Sequence, residues 1–336
     1  MSTMGVEEEF LLVDARTRAP VPIADEVCET AASPAVRREL RDTQIEVATG
    51  ICHTAAELED QLSAGRDLVA RAAAEHGAIP MATGTPARTS PPPGESSGRA
   101  GRIDDRFRAV VTDYEACGCH VHIGLPERET AVAVINHVAP WLPTLLALSV
   151  NSPLHAGRDT GYASWRMVQQ SRFPGSGIPP YFADLAAYER AVERLVDCGV
   201  LVDADMSFWL LRLSAKFPTV EFRTADTAST VGEALLQALL SRALVHRAMS
   251  DLAAGREAEP CDPQIAAAAV WAAARYGLTG HGVDVRLGTP KPAELLVAGL
   301  LVHLRAPLEE RGDWVTVHKL VEWLHRNGTG AERQRS

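Results

Sequence analysis

Apolar runs long enough to cross a bilayer are missing from the sequence: stretches such as Leu145 to Val150 and Leu295 to Val302 fall well short of the roughly 18 to 20 residues a span needs. A membrane segment is therefore not expected. The six cysteines, Cys28, Cys52, Cys117, Cys119, Cys198 and Cys261, include no Cys-x-x-Cys pair, which argues against a disulfide framework; most read as reduced, buried small residues. Clustered Lys and Arg are also lacking, and 33 basic against 43 acidic residues leave a net charge of −10, which argues against a nucleic-acid-binding surface but not against a local nucleotide site. No basic stretch with an apolar core and small-residue cleavage site precedes Gly5-Val-Glu7, so the expected compartment is the cytosol. Repeats and low-complexity tails are absent.

What remains is the composition expected of a soluble globular protein, 46% apolar over 336 residues and able to bury a large core. One domain is expected over residues 1–336, its C-terminal part helical from about residue 260. Capping-box patterns at Thr54-Ala-Ala-Glu57 and Thr230-Val-Gly-Glu233 open helices, the first ending at His76-Gly77, the second covering Ala234 to Leu252. Further helices are predicted over Ala131 to Ser149 with a bend near Pro140, Leu185 to Asp197, Pro263 to Tyr276, Pro292 to Leu304 and Trp314 to Asn327. Strand-like alternation marks Val6 to Val13, Gln44 to Ala48, Ile79 to Thr83, Cys119 to Gly124, Phe208 to Ser214 and Thr219 to Thr224. Thr89 to Gly101 and Arg172 to Pro180 read as loops of the kind that form lids or binding loops. Strands mixed among helices without strict βαβ order indicate α+β.

Residues two apart on a strand share a face. Glu7 and Glu9 therefore point together, opposite Val6 and Phe10; His120 and His122 lie opposite Val121 and Ile123; Glu221 and Arg223 lie opposite Val220 and Phe222; and Glu46 is offset from Ile45 and Val47. If these strands are neighbours, one sheet face carries carboxylates, imidazoles and guanidinium groups, an arrangement that is costly without cations. Oxygen-rich sites with one or two imidazoles suit Mg²⁺ or Mn²⁺, and such metals beside arginines point to phosphoryl chemistry. Each piece alone has a plainer reading, as a solvated charge run, a structural His pair or a cross-strand ion pair. A zinc cluster at Cys117-Gly-Cys-His-Val-His122 is disfavoured, since His122 lies an odd number of positions from both cysteines; Cys119 reads as a partly buried thiol beside the metal face.

The blocks run in order as Gly5-Val-Glu-Glu-Glu-Phe-Leu-Leu-Val-Asp14, Ile45-Glu-Val-Ala-Thr49, Gly84-Thr85, Gly118-Cys-His-Val-His-Ile-Gly124, Ala147-Leu-Ser-Val-Asn-Ser-Pro153, Ala163-Ser-Trp-Arg166, Thr219-Val-Glu-Phe-Arg223 with Asp226, and Ala274-Arg-Tyr-Gly-Leu278. Over nearly the whole chain this resembles the carboxylate-amine ligase family, also called glutamate-cysteine ligase type 2. The resemblance implies a glutamine-synthetase-like antiparallel sheet, flanked by helices, that forms a funnel-shaped site for ATP, Mg²⁺ or Mn²⁺ ions and the acyl donor. It implies Glu7, Glu9, Glu46, His120 and Glu221 as metal ligands, and His122, Arg166, Arg212 and Arg223 as contacts to ATP phosphates or an acyl phosphate, the three arginines being the catalytic candidates. A donor carboxylate, glutamate in the reaction that names the family, would attack the γ-phosphate of ATP, and an amine such as cysteine would then displace phosphate.

Relatives read Trp-Asp-Ile/Val-Arg-Pro-Ser where this chain has Trp209-Leu-Leu-Arg-Leu-Ser214, have a histidine after Gly-Thr where it has Pro86, and continue beyond Gly328 to Arg335 through another helix. Leu210, placed on the face of Arg212, leads to the expectation of a changed amine acceptor. The alternatives are a metal-dependent amide hydrolase and a catalytically silent ATP-binding homologue. The apolar helices Ala234 to Leu252 and Pro292 to Leu304 make a homodimer the default assembly.

Overall fold

The structure, a computed structural model, describes residues 2–91 and 98–336. Its centre is a seven-stranded sheet in the order β2-β3-β1-β5-β9-β8. The strands are β1 (Met4–Asp14), β2 (Val36–Arg38), β3 (Gln44–Ala48), β4 (Ala78–Met81) and β5 (Gly118–Gly124), then a hairpin of β6 (Leu154–His155) and β7 (Arg158–Asp159), then β8 (Leu211–Leu213) and β9 (Thr219–Asp226). A last hairpin joins β10 (His281–Asp284) and β11 (Thr289–Pro292). Every pairing between these strands is antiparallel, and β4 joins the distal half of β1, from Leu11 to Asp14.

The register follows from alternation. Val6, Val121, Ile123, Val220 and Phe222 turn to one side and build the main core with Leu235, Leu239 and Ile135 from the helices behind the sheet. Two of those helices, Val231–Ala253 and Ala55–Glu75, start at the caps read above: Thr54 accepts from the Glu57 N–H at 3.2 Å while the Glu57 carboxylate reaches back to the Thr54 N–H at 3.4 Å, whereas at Thr230 only half the box forms, Thr230 accepting from the Glu233 N–H at 3.2 Å while the Glu233 carboxylate takes the Thr230 hydroxyl instead of its N–H. The first helix ends at His76, beyond which Gly77 takes a φ of 68°.

The expected bend at Pro140 is a 3₁₀ turn, Ala139–Trp141, between the helices Arg128–Val138 and Leu142–Ser149. By length and composition Arg128–Ser149 does reach the threshold for a membrane span, contrary to the sequence reading, but 78% of its most apolar window is buried inside the protein. The expected helices Leu185–Asp197, Pro263–Tyr276 and Trp314–Asn327 form over those limits, whereas Ala293–Arg311 runs past Leu304 and through Pro307. The C-terminal part is not wholly helical, because β10 and β11 fall within it.

Two expectations change. Of the supposed loop Thr89 to Gly101, residues 92–97 lie outside the described residues and 98–101 open the helix Gly98–Phe107. The strand expected over Phe208 to Ser214 shrinks to Leu211–Leu213, since the chain before it curls so that the carbonyls of Asp205 and Ser207 accept from Arg212 at 2.8 Å each.

Candidate active site

The face of the sheet opposite the main core collects the ionisable groups. Glu9 stands directly across from Glu46 on β3, and Glu39, following β2, brings a third carboxylate; one oxygen from each lies within 4.8 Å of the others. Burial and then the Glu39 charge push Glu9 up to about 8. Burial, with Glu7, Glu39 and Glu9 adding repulsion, pushes Glu46 up to about 9. Glu9 also accepts the Gly118 N–H at 2.6 Å.

Glu7 pairs in register with His120, and its carboxylate lies 3.8 Å from His120 Nδ1 and 3.5 Å from His122 Nε2. Burial opposes its ionisation, but the two imidazoles prevail and hold Glu7 below the usual carboxylate range. Burial and the Arg223 charge push His120 down to about 3, so its ring is neutral. The Nε2 atoms of His120 and His122 are buried without a hydrogen-bond partner among the described residues, while His122 Nδ1 meets the Thr219 hydroxyl at 2.9 Å.

Beyond the histidines lies the cationic part. Arg212 donates to both oxygens of Glu221, 2.9 and 3.1 Å away, in the fork geometry of a bidentate pair, and Arg223 donates to the same carboxylate. Burial works against the Glu221 charge, yet Arg223 and Arg212 keep it well below the ordinary carboxylate range. Arg166 comes from the short helix Trp165–Gln170, capped by Ser164, and is 1% exposed. It approaches Asp226 at 3.8 Å and the carbonyl of Arg223 at 3.2 Å, while its Nε has no partner among the described residues. Glycine at position 118 leaves room for the guanidinium, since a Cβ there would crowd Arg166 Nη2 and force it to shift.

A β-bulge decides which β9 residues join this face. Cys119 pairs with Ala225 and Val121 with Phe222, so Arg223 and Thr224 together stand opposite His120. The extra residue reverses the alternation: Phe222 and Ala225, three apart, both enter the main core, and Asp226 is brought into reach of Arg166.

Of these groups Glu9, Glu39, His120, Arg166, Arg212 and Arg223 border a cavity of about 130 Å³ whose remaining wall includes Tyr114, Gln170, Phe173 and Phe208. Phe173 stacks on Phe208 at 4.6 Å, and Tyr114 meets its edge at 5.0 Å. Burial pushes the Tyr114 hydroxyl up to about 12, so it stays a neutral donor. Larger cavities of about 500 and 620 Å³ lie elsewhere, but neither is lined by the sheet's carboxylates or imidazoles; chemistry, not volume, locates the site.

Eight of the nine sequence-derived site residues thus lie on one face of the sheet and Arg166 joins them from the helix Trp165–Gln170, in an unexpected grouping. Glu9 and Glu46 gather with Glu39, Glu7 gathers with His120 and His122, and Glu221 spends both oxygens on Arg212 and Arg223. Glu39 carries no strand periodicity and was missed; Tyr114 and Gln170 likewise lack a pattern. Leu210 does not share the face of Arg212: it is completely buried in the main core, and regular pairing begins only at Leu211. It gives no reason for a changed acceptor. Cys119 is fully buried in the core behind the sheet, not beside the carboxylate face, and Cys52, Cys117 and Cys119 are the buried half of the six cysteines.

Residues 3–335 match the sequence model of glutamate-cysteine ligase family 2. A Saccharopolyspora erythraea protein named "Putative glutamate--cysteine ligase 2-2" is 51% identical over 342 aligned residues, covering 99% of this chain and 88% of that protein. One from Salinispora tropica, named "Putative glutamate--cysteine ligase 2", is 42% identical, covering 99% of this chain and 89% of that one. Among solved structures, the Francisella tularensis glutamate–cysteine ligase in complex with AMP superposes with a TM-score of 0.69 at 13% identity, over 99% of this chain and 84% of that one. At such identity the likeness speaks to the fold.

Proposed function

The chain belongs to glutamate-cysteine ligase family 2 and is an ATP-dependent carboxylate-amine ligase, and from that premise we propose that it joins a glutamate-like carboxylate to a small amine such as cysteine through an acyl phosphate formed in the cavity beside His120, Arg166 and Arg223. The observation that carries this reading is the adjacency of a repelling carboxylate cluster to a set of buried guanidinium groups on one sheet face.

Glu9, Glu39 and Glu46, with Glu7 and the unpartnered imidazole nitrogens of His120 and His122, suit a hard divalent cation, because ionising those carboxylates together is costly without one. Bound Mg²⁺ or Mn²⁺ would supply neutralisation of phosphate charge. Glu221 is assigned to the arginines: it fixes the planes of Arg212 and Arg223 before substrate arrives. Arg223 and Arg166 then face the transferring phosphoryl group with donors already oriented. Neutral His120 accepts or donates one hydrogen bond there without adding charge. The aromatic wall of buried Phe173 and Tyr114 and half-buried Phe208 limits water around the acyl phosphate, which hydrolysis would otherwise consume.

The proposal extends to a single-domain organisation, supported by a main core that draws on residues from Met4 to Ala331. It also keeps a cytosolic homodimer, for which the outward-facing Leu295 and Val302 on the helix Ala293–Arg311 offer apolar surface.

Hydroxylamine added to the protein with Mg²⁺, ATP and glutamate tests the mechanism. A glutamyl hydroxamate and one ADP per hydroxamate are expected. Amide product formed with neither hydroxamate nor positional isotope exchange in ATP would rule out the acyl phosphate.

A further inference from the structure

Resting on the reading that Arg166 faces the transferred phosphoryl group, we propose that the C-terminal helix Gly330–Arg335 is a brace for that arginine, with Gln334, Asn151 and Asp226 as positioning residues.

Arg166 is fully buried, yet its only carboxylate partner among the described residues, Asp226, stands 3.8 Å away and makes no short fork with it. The guanidinium donates to the carbonyls of Arg223 at 3.2 Å and Thr224 at 3.4 Å, and beyond that backbone it is placed by what fixes Asp226 and by what fixes its own helix, and these two share the same atoms. Asp226 accepts from the Asn151 N–H at 2.8 Å, the Ser152 hydroxyl at 2.7 Å and the Ser164 hydroxyl at 2.8 Å. Ser152 Oγ in turn accepts the Arg166 N–H at 3.0 Å, and Ser164 Oγ accepts the Met167 N–H at 3.2 Å as the helix cap. Gly84 closes the other side, where a Cβ would meet Asp226 Cγ at 2.8 Å.

Asn151 is the point at which the far end of the chain enters. Its side-chain amide donates to the carbonyls of Ala82 and Thr227 at 2.9 and 2.8 Å, leaving Oδ1 to accept from elsewhere. Gln334 Nε2 supplies that donor at 2.7 Å and reaches the Asn151 carbonyl at 2.9 Å. Gly330 lies so close that a Cβ there would sit 2.2 Å from Asn151 Oδ1, and the Ala331 N–H donates to the Val150 carbonyl at 3.0 Å. Arg333, paired with Glu233 at 2.7 Å, and Arg335, paired with Asp159 at 2.8 Å, pin the helix at either side. Gln334 thus fixes Asn151, Asn151 and the two serines fix Asp226, and Asp226 with its serines fixes Arg166. Asparagine at 151 meets the need because both donors and the acceptor of its amide are used.

Gln334→Ala is the test, with Arg128→Ala as the control, whose exposed ion pair with Glu189 involves none of these residues. Hydrogen exchange at the Asn151, Arg166 and Met167 amides should quicken at least about tenfold in Gln334→Ala, while that of the helix Ala55–Glu75 stays unchanged. ADP release with Mg²⁺, ATP, glutamate and cysteine should fall roughly tenfold in kcat with little change in KM for ATP, as for a misplaced group acting in the transition state. In an Arg166→Lys background Gln334→Ala should alter kcat by less than about twofold, because the group it positions is gone. Asp226→Asn should give the same kcat loss and the same non-additivity. Unchanged exchange, or independent and additive effects of Gln334→Ala and Arg166→Lys, would overturn the brace. Faster exchange beside wild-type turnover in Arg166→Lys would instead preserve the brace and remove Arg166 from the chemistry.

Discussion

Glu8 and Arg66 form a fork on the side of the sheet turned away from the cavity, with Nε to Oε2 at 2.9 Å and Nη2 to Oε1 at 2.5 Å. Arg66 also donates to the Ala228 carbonyl at 2.7 Å, tying the helix Ala55–Glu75 to the loop after β9. Of three consecutive glutamates, the middle one thus belongs to the scaffold and its neighbours to the site. Glu8→Gln is expected to destabilise the protein by on the order of 3 kcal/mol, as for removing one partner of a buried pair. Urea titration checks this, and the folded fraction should keep most of its turnover.

Glu9→Gln and Glu221→Gln are expected to separate two roles that both end in inactivity. Glu9 is buried among like charges, so its neutral amide should leave the metal-free protein as stable or more stable while abolishing the rise in Tm on adding Mg²⁺. Glu221 answers two arginines, and its amide should lower stability by roughly 3 kcal/mol by leaving buried cations unmatched. Melting curves with and without Mg²⁺ decide; equal destabilisation by both changes would contradict the separation.

Stability of the metal-free protein should fall as pH rises from about 6.5 to about 9. Glu9 and Glu46 carry folded values of about 8 and 9 against 4.5 unfolded, so across this window the folded chain holds protons that the unfolded chain has released. His120, held at about 3 against 6.5, has the opposite slope but is neutral in both states above about 6.5. Glu7 and Glu221, lowered in the folded state, act only below the window. Mg²⁺ should flatten the decline, since binding favours the deprotonated carboxylates. A Tm profile that is flat without metal, or that rises with pH, would contradict this assignment.

Leu210→Ala should cost about 2–5 kcal/mol, the usual range for emptying a core position, and leave the ratio of kcat/KM between two amines unchanged within about twofold. Leu210→Asp should fold poorly because it buries a charge. A shifted amine preference in the folded Ala variant would return Leu210 to the site.

Gly118→Ala should lower kcat by at least roughly tenfold without loss of fold, because the added methyl would take the space of Arg166 Nη2 and must push the guanidinium aside. Steady-state kinetics alongside a melting curve tests it.

Much of the site was legible because the strands obey a period of two where it matters: Glu7 with Glu9, His120 with His122, and Glu221 with Arg223 each declare a shared face. Helix ends were legible where cap chemistry is strong, as at Thr54 and Thr230 and at His76-Gly77. Parity failed where pairing is irregular. The bulge on β9 hides Asp226, and the early end of β8 put Leu210 on the wrong side. Glu39 and Gln334 act through tertiary neighbours far away in sequence, a contact that no local pattern encodes.

The position of β1 also sets an order of events in folding. This strand precedes every other strand of the sheet in the sequence, yet it lies inside the sheet, and its partners β3, β4 and β5 extend to Gly124, with β9 on the far side of β5 extending to Asp226. A ribosome-bound chain therefore holds an apolar strand with an open edge until β5 emerges, and Asn151 must wait for Gln334, which follows 183 residues later. Such long sequence separations predict slow folding and an aggregation-prone interval early in synthesis. The Glu7-Glu8-Glu9 run, a repulsive like-charge stretch before its partners arrive, keeps that strand from pairing with copies of itself.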